Sequence, residues 1–200
     1  MDHLRYSGLP FEAQREAFLA IVSADPLVRD ALARACTLDL PDWLIVSGAL
    51  YNSIWNHLTG KPSGYGIKDV DLFYFDDGDL SYEAEDAVIR RAAAHFEGLP
   101  LPVEVRNQAR VHLWYPQKFG RPCPRYTSSS ESISYFASKT HAVGVRYDAD
   151  EQLDLVAPFG LDDIFSFRIV PNRVMDNQKT HEAKGRRAQE YWPEITVVPW

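Results

Sequence analysis

Asp69 and Asp71 stand two residues apart in the stretch GIKDVDLFYFDD, residues 66–77. Side chains alternate across a strand, so both carboxylates project from one face. Val70, Leu72 and Tyr74 project from the other, where they can pack on helices. At the rise of a strand the two aspartates lie about 7 Å apart along the backbone, close enough to flex inward and bracket one or two divalent cations. Without a cation, their mutual repulsion would raise one of their pKa values. Hard oxygen ligands favour Mg²⁺ or Mn²⁺, and Mg²⁺ commonly takes one or two carboxylates with substrate phosphates completing its shell. Asp76 and Asp77 precede Gly78 and are expected in a turn.

Upstream, WLIVSGAL supplies a strand, a glycine turn and a helix start in succession. Gly48 lets a phosphate approach the backbone, the helix N-terminus behind it offers free N–H groups, and Ser47 adds a hydroxyl. The same glycine would serve equally well as a tight strand-to-helix turn. Downstream, Glu104 in PVEVRN is the candidate for a third carboxylate. Arg106 and Arg110 are candidates for phosphate contacts or for salt bridges. Asn107 and Gln108 can read a base or sugar, or satisfy buried backbone groups. Lys139 and Arg146 are further candidates for a triphosphate.

The elements around these residues read as follows. PFEAQREAFLAIVS brings Phe11, Phe18, Leu19 and Val22 onto one helical face. DPLVRDALARAC starts a second helix, with Asp25 as N-cap and Pro26 at its first position. WLIVSG is a buried strand, ALYNSIWNHLTG a helix ended by Gly60, and KPSGYGI a loop. The aspartate strand leads to the helix SYEAEDAVIRRAAAHFEG, capped by Ser81. PVEVRNQ and VHLWYP are expected as strands, followed by a proline-rich loop up to Arg125. SSSESISYFASK is a short capped helix, and VGVRYDADEQLDLVAP a hairpin turning at DADE. GLDDIFSF and NQKTHEAKGRRAQEYW are closing helices. Helices interleaved with a hairpin and further strands predict an α+β fold, a mixed β-sheet with helices packed on it. The 200 residues read as one unit, with helices over 1–40, a core over 41–125, and a helix, hairpin and helices over 126–200.

The formal charge of −7 argues against a general nucleic-acid binder. It is unevenly spread. Residues 68–86 hold eight acids and only Lys68, whereas 101–146 hold seven Lys or Arg and only two acids, Glu104 and Glu131. An acidic cluster followed by a basic stretch suits a site for cations and a polyanion, although solvated surface would give the same counts. Cys36 and Cys123 have no paired spacing and read as buried or half-buried thiols of a reducing compartment. With no signal-peptide pattern at MDHLRYSGLP and no long apolar run, a cytoplasmic location is expected.

SGALYNSIWNHLTG, KDVDLFYFDD, RNQARVHLWY, AVGVRYD and APFGLDDIF lie within residues 40–192. In this order they resemble the DNA polymerase β superfamily of nucleotidyltransferases, and within it the small bacterial predicted nucleotidyltransferases. Members carry a Gly-Ser or Gly-Gly turn, then Asp-x-Asp on the next strand, then a third carboxylate on a later strand. The resemblance implies a nucleotidyltransferase fold and transfer of a nucleoside monophosphate from an NTP to an acceptor by a divalent-metal mechanism. It implies that Gly48, with Ser47 beside it, lines the triphosphate and that Asp69 and Asp71, with Glu104 as the third acid, hold Mg²⁺ or Mn²⁺. Arg106, Asn107 and Arg110 would then lie on the nucleotide side. The acceptor is open; the acidic chain suits a small molecule or a protein side chain better than long nucleic acid. Gly48-Ala49 lacks the hydroxyl that members often carry after the glycine, and HLTGKPSGYGIK lengthens the gap to Asp69. Those departures define the alternative, a nucleotide-binding or regulatory module that keeps the fold without catalysis.

Overall fold

The computed structural model describes residues 2–200. Strand β1 (Leu44–Val46) is buried at all three positions, so it needs cover on both faces and neighbours on both edges. β2 (Val70–Tyr74) and β4 (Gly144–Tyr147) flank it, both antiparallel to it. β3 (Val103–Asn107) lies parallel to β2, and β5 (Leu153–Val156) antiparallel to β4, giving the order β3-β2-β1-β4-β5. A parallel pair needs a crossover, and α4 (Tyr82–His95) supplies it between β2 and β3. The expected mixed sheet with packed helices is present.

Helices α1 (Phe11–Ala24) and α2 (Pro26–Thr37) precede the sheet. Asp25 Oδ1 accepts from the N–H groups of Leu27 at 3.0 Å and Val28 at 3.2 Å, with Pro26 at the first position. Phe18 and Val22 are fully buried. Phe11, expected on the same face, opens the helix and is 44% exposed. α3 (Gly48–Thr59) follows β1 directly and ends at Gly60 in the left-handed conformation. Its Trp55 is fully buried and donates Nε1 to the Ile164 carbonyl at 2.9 Å. Trp192, just beyond α8 (Gln178–Tyr191), donates Nε1 to Asn56 Oδ1 at 3.0 Å. These bonds hold the C-terminal elements on α3 inside a continuous core that runs from Phe18 to Ile195.

VHLWYP is a correction: it is not a strand but the start of helix α5 (Val111–Phe119). Short apolar runs do not distinguish strand from helix by periodicity. What decides this one is Asn107, whose Oδ1 accepts from the Ala109 N–H at 3.0 Å and turns the chain out of β3 into a 3₁₀ turn, Gln108–Arg110. That turn runs straight into α5, which carries Pro116 and ends at the left-handed Gly120. The short helices α6 (Ser129–Ile133) and α7 (Asp162–Phe165) lie in the segments expected to be helical. A two-strand parallel pair, β6 (Arg168–Ile169) with β7 (Thr196–Val197), is too short to leave a sequence pattern. Both cysteines are free, and Cys36, expected to be at least half-buried, is exposed. Among the described residues, no helix is long and apolar enough to cross a membrane.

Candidate active site

β2 alternates as its sequence requires. Val70, Leu72 and Tyr74 are buried in the core, at 0, 0 and 2% exposure, and Asp71 and Phe73 look out of the opposite face. In the parallel register Asp71 lies opposite Glu104 and Phe73 opposite Arg106. Partnered residues on adjacent strands share a face. Asp71 and Glu104 therefore stand side by side, and Asp69, just before β2, lines a cleft together with Asp71.

Two clefts meet at Asp71. One, of about 250 Å³, is lined by Ser47, Gly48, Lys68, Asp69, Lys184 and Arg187 among others. The second, of about 340 Å³, contains Glu104, Arg106 and Gln108 and is otherwise largely aromatic. Ser47, Asp71 and Lys184 line both. The first is a cation-rich chamber at the N-terminus of α3, and the second leads away from it past Glu104.

The turn into α3 is strained. Ser47 has φ 59° and ψ −118°, a conformation that L-residues rarely adopt. Its hydroxyl is buried beside the Tyr51 hydroxyl and makes no hydrogen bond of ordinary geometry among the described residues. Strain and an unpaired polar atom at one position mark a functional constraint. A phosphate oxygen at the α3 N-terminus would take up both the hydroxyl and the free helix N–H groups. Ser47→Gly is expected to remove the strain and raise stability by about 1 kcal/mol, read from the urea unfolding midpoint, while weakening nucleotide binding. A destabilised variant would show that this backbone costs nothing.

Burial pushes the Asp71 carboxyl up to about 6; Lys184 opposes this, and the neighbouring Asp69 and Glu104 charges add to it. Burial, followed by the Asp71 charge, also pushes the Tyr51 hydroxyl up. Tyr51 stacks on His141, with ring centres 4.8 Å apart and planes at 17°. Burial first, then the Lys184 charge, holds that imidazole well below its usual range, so it is neutral. Lys68 Nζ lies 2.9 Å from Asp69 Oδ2, and Arg106 Nη2 lies 3.0 Å from Glu104 Oε1. Among the described residues no three metal-ligating side chains already converge into a cage. The donor set nonetheless fits a hard cation. Three carboxylates line the two clefts, the central one is strained by burial and like charge, and Mg²⁺ ordinarily completes a partial protein shell with substrate oxygens.

The other candidates separate. Arg110 is buried and paired with Glu85, and its Nε donates to the Leu80 carbonyl at 2.9 Å. It lines neither cleft, so the structure does not bring it together with the other candidates. Asn107 likewise lines neither cleft. Its Oδ1 accepts from the Asp76 N–H at 3.1 Å and its Nδ2 donates to the Asp76 carbonyl at 2.8 Å, so it fastens the end of β2. Arg146 is engaged by Asp42 and Asp154, and Lys139 rests over Phe159. Asp76 Oδ1 accepts from Gly78 N–H at 2.9 Å, the expected turn. Lys184 and Arg187 line the cationic cleft and belong to no recognised motif of the sequence. Their one signal is AKGRRA, which places two cations a helical turn apart on α8.

The family model described as nucleotidyltransferase matches residues 33–197. The chain belongs to this nucleotidyltransferase family. A solved structure similar to this nucleotidyltransferase over 95% of the chain and 94% of its own length has a TM-score of 0.73 and 25% identity. It is an NMR structure described as revealing a CCA-adding enzyme head domain. Comparison with curated proteins found no match.

Proposed function

We propose that this nucleotidyltransferase moves a nucleoside monophosphate from an NTP to an acceptor hydroxyl, with Mg²⁺ or Mn²⁺ held by Asp69, Asp71 and Glu104. The observation that carries the reading is the placement of Asp71 at the junction of the clefts, with Asp69 lining only the cationic one and Glu104 only the aromatic one. In-line displacement needs the attacking and leaving oxygens on opposite sides of the phosphorus. Two chambers meeting at one carboxylate provide those sides. The triphosphate lies along Ser47, Gly48 and the α3 N-terminus, where Lys184 and Arg187 neutralise the departing pyrophosphate. The acceptor comes from the Glu104 side. A bound divalent cation supplies Lewis acidity at the phosphoryl oxygens, and the protein contributes chiefly position and charge. The similar CCA-adding head domain supports nucleotide addition as the reaction class.

The test is a thermal-shift panel of ATP, GTP, CTP and UTP with Mg²⁺ or Mn²⁺ on wild type and Lys184→Ala. A nucleotide at a hundredfold excess over its Kd adds about 2.7 kcal/mol. For a chain this size that is a rise of roughly 5–10 °C. Lys184→Ala is expected to weaken the responding nucleotide about tenfold or more, as loss of a charged hydrogen bond would. No shift with any NTP and either metal would overturn the reading.

A further inference from the structure

The two-chamber reading brings an acceptor of unstated chemistry in from the Glu104 side, and the walls of that cleft are specific. Trp114, Tyr115 and Phe119 of α5 supply one group of rings, with the Tyr115 and Phe119 centres 4.4 Å apart. Tyr126, Tyr135 and Phe136 supply another, with Tyr126 and Tyr135 centres 5.2 Å apart. Phe136 stands edge-on to Phe73 of β2, so this second group is braced on the face that carries Asp71. Tyr126 is buried and Phe136 packs on the Leu44, Val46 and Ile133 cluster, but core packing does not account for the other rings: Phe119 is 40% exposed, and Trp114, Tyr115 and Tyr135 are only partly buried.

Polar groups sit among the rings. Lys118 Nζ lies 5.5 Å above the Trp114 ring and has no carboxylate partner among the described residues. Gln108, 3% exposed, donates Nε2 to the Arg106 carbonyl at 3.3 Å, and its Oε1 makes no bond among the described residues. Among the described residues, the carboxylates lining the cleft are Asp71 and Glu104. Lys118 thus places a cation among the rings, whereas the other cations lining the cleft stand at the carboxylates, Arg106 paired with Glu104 and Lys184 at Asp71.

We infer that this chamber binds the acceptor, and that the acceptor is a small nucleotide-sized molecule with a planar heteroaromatic ring, a hydroxyl and an anionic group. The inference rests on the two-chamber reading above. The ring stacks among the aromatic side chains, the anion meets Lys118, and the hydroxyl points towards Asp71 and Glu104. A volume of about 340 Å³ is that of a small-ligand pocket, and the chain's charge of −7 disfavours a long polyanion. The acceptor oxygen forms a bond to the α-phosphorus, the α–β phosphoanhydride bond breaks, pyrophosphate leaves, and the hydroxyl proton passes to solvent. Nothing is oxidised or reduced.

The experiment is calorimetric titration of the full chain with the four nucleoside 5′-monophosphates, alone and at saturation with a non-hydrolysable α,β-methylene NTP and Mg²⁺. At least one monophosphate is expected to bind in both conditions, forming a ternary complex. Trp114→Ala should weaken it about 5- to 100-fold, the range for losing one stacking partner, and leave NTP affinity within about twofold. Trp114→Phe should restore much of the loss, which separates stacking from a folding defect. Displacement of the monophosphate by the NTP analogue, or equal weakening of both ligands by Trp114→Ala, would assign the chamber to the donor base and overturn the inference. Binding of ribose 5-phosphate as tight as that of any monophosphate, or binding of a ten-nucleotide single strand tighter than any monophosphate, would also overturn it. NTP binding that persists in any of these cases leaves the transfer reading standing.

Discussion

Asp71→Asn is expected to make the metal-free protein more stable at pH 8 while lowering nucleotidyl transfer on the order of 10³-fold. The two effects share one cause. Burial, together with the Asp69 and Glu104 charges, pushes the Asp71 carboxyl from 3.8 up to about 6. The folded state therefore holds this proton more tightly than the unfolded chain does. The contribution to stability is fully present below about pH 3.8 and is lost as the pH rises through about 6. At pH 8 the ionised carboxylate costs on the order of 3 kcal/mol, and asparagine avoids that cost. The melting temperature should rise by roughly 6–12 °C at pH 8, and the wild-type decline between pH 4 and 6 should flatten in the variant. Melting curves from pH 4 to 8 in EDTA check this. A variant less stable than wild type at pH 8 would place Asp71 in a structural role.

Arg110→Met is the largest destabilisation expected, about 3–5 kcal/mol, because it strands the Glu85 carboxylate in the interior. Arg110 and Glu85 side chains are only 10% and 8% exposed. Glu85 Oε1 also accepts from the Asn107 N–H at 2.9 Å, so the pair fastens α4 to the end of β3 and to the 3₁₀ turn before α5. Urea unfolding measures the loss. Glu85→Gln combined with Arg110→Met should recover part of it, since no buried charge is then left unpaired. The folded fraction of the single variant should bind NTP within about threefold of wild type. Undiminished stability with lost nucleotide affinity would return Arg110 to the phosphate site.

What the sequence disclosed was local. The alternation of Asp69 and Asp71 with Val70, Leu72 and Tyr74 has a period of two and needs no partner strand to read. Asp25-Pro26, Ser81 and Gly60 mark helix ends through chemistry held within a few residues. Glu104 could be nominated from its strand, but its register opposite Asp71 depends on how α4 returns the chain to β2, which no local pattern encodes. Asn107, Arg106 and Arg110 looked equivalent in VRNQAR. The 3₁₀ turn after Asn107 separates them, leaving Arg106 in the aromatic cleft and burying Arg110 beneath α4. Lys184 and Arg187 leave no local sign of their role because the side of α8 that faces the site is set by distant packing. Trp192 is fixed on Asn56, and a Cβ on Gly185 would meet Val197 at 2.8 Å. The aromatic cleft was hidden for a related reason: VHLWYP contributes rings to one wall only as a helix, and Tyr126, Tyr135 and Phe136 come from another segment.

The most direct measurement is pyrophosphate release in the presence of Mg²⁺, the NTP that gives the largest thermal shift, and the four nucleoside monophosphates as acceptors. The account predicts pyrophosphate formed in equal amount with a phosphodiester-linked adduct, abolished by EDTA and by Asp71→Asn. Tight metal-dependent NTP binding with no pyrophosphate would contradict it and mark the protein as a nucleotide-binding module. Release of free nucleoside phosphate with no adduct would contradict it as well, because water would then be the acceptor.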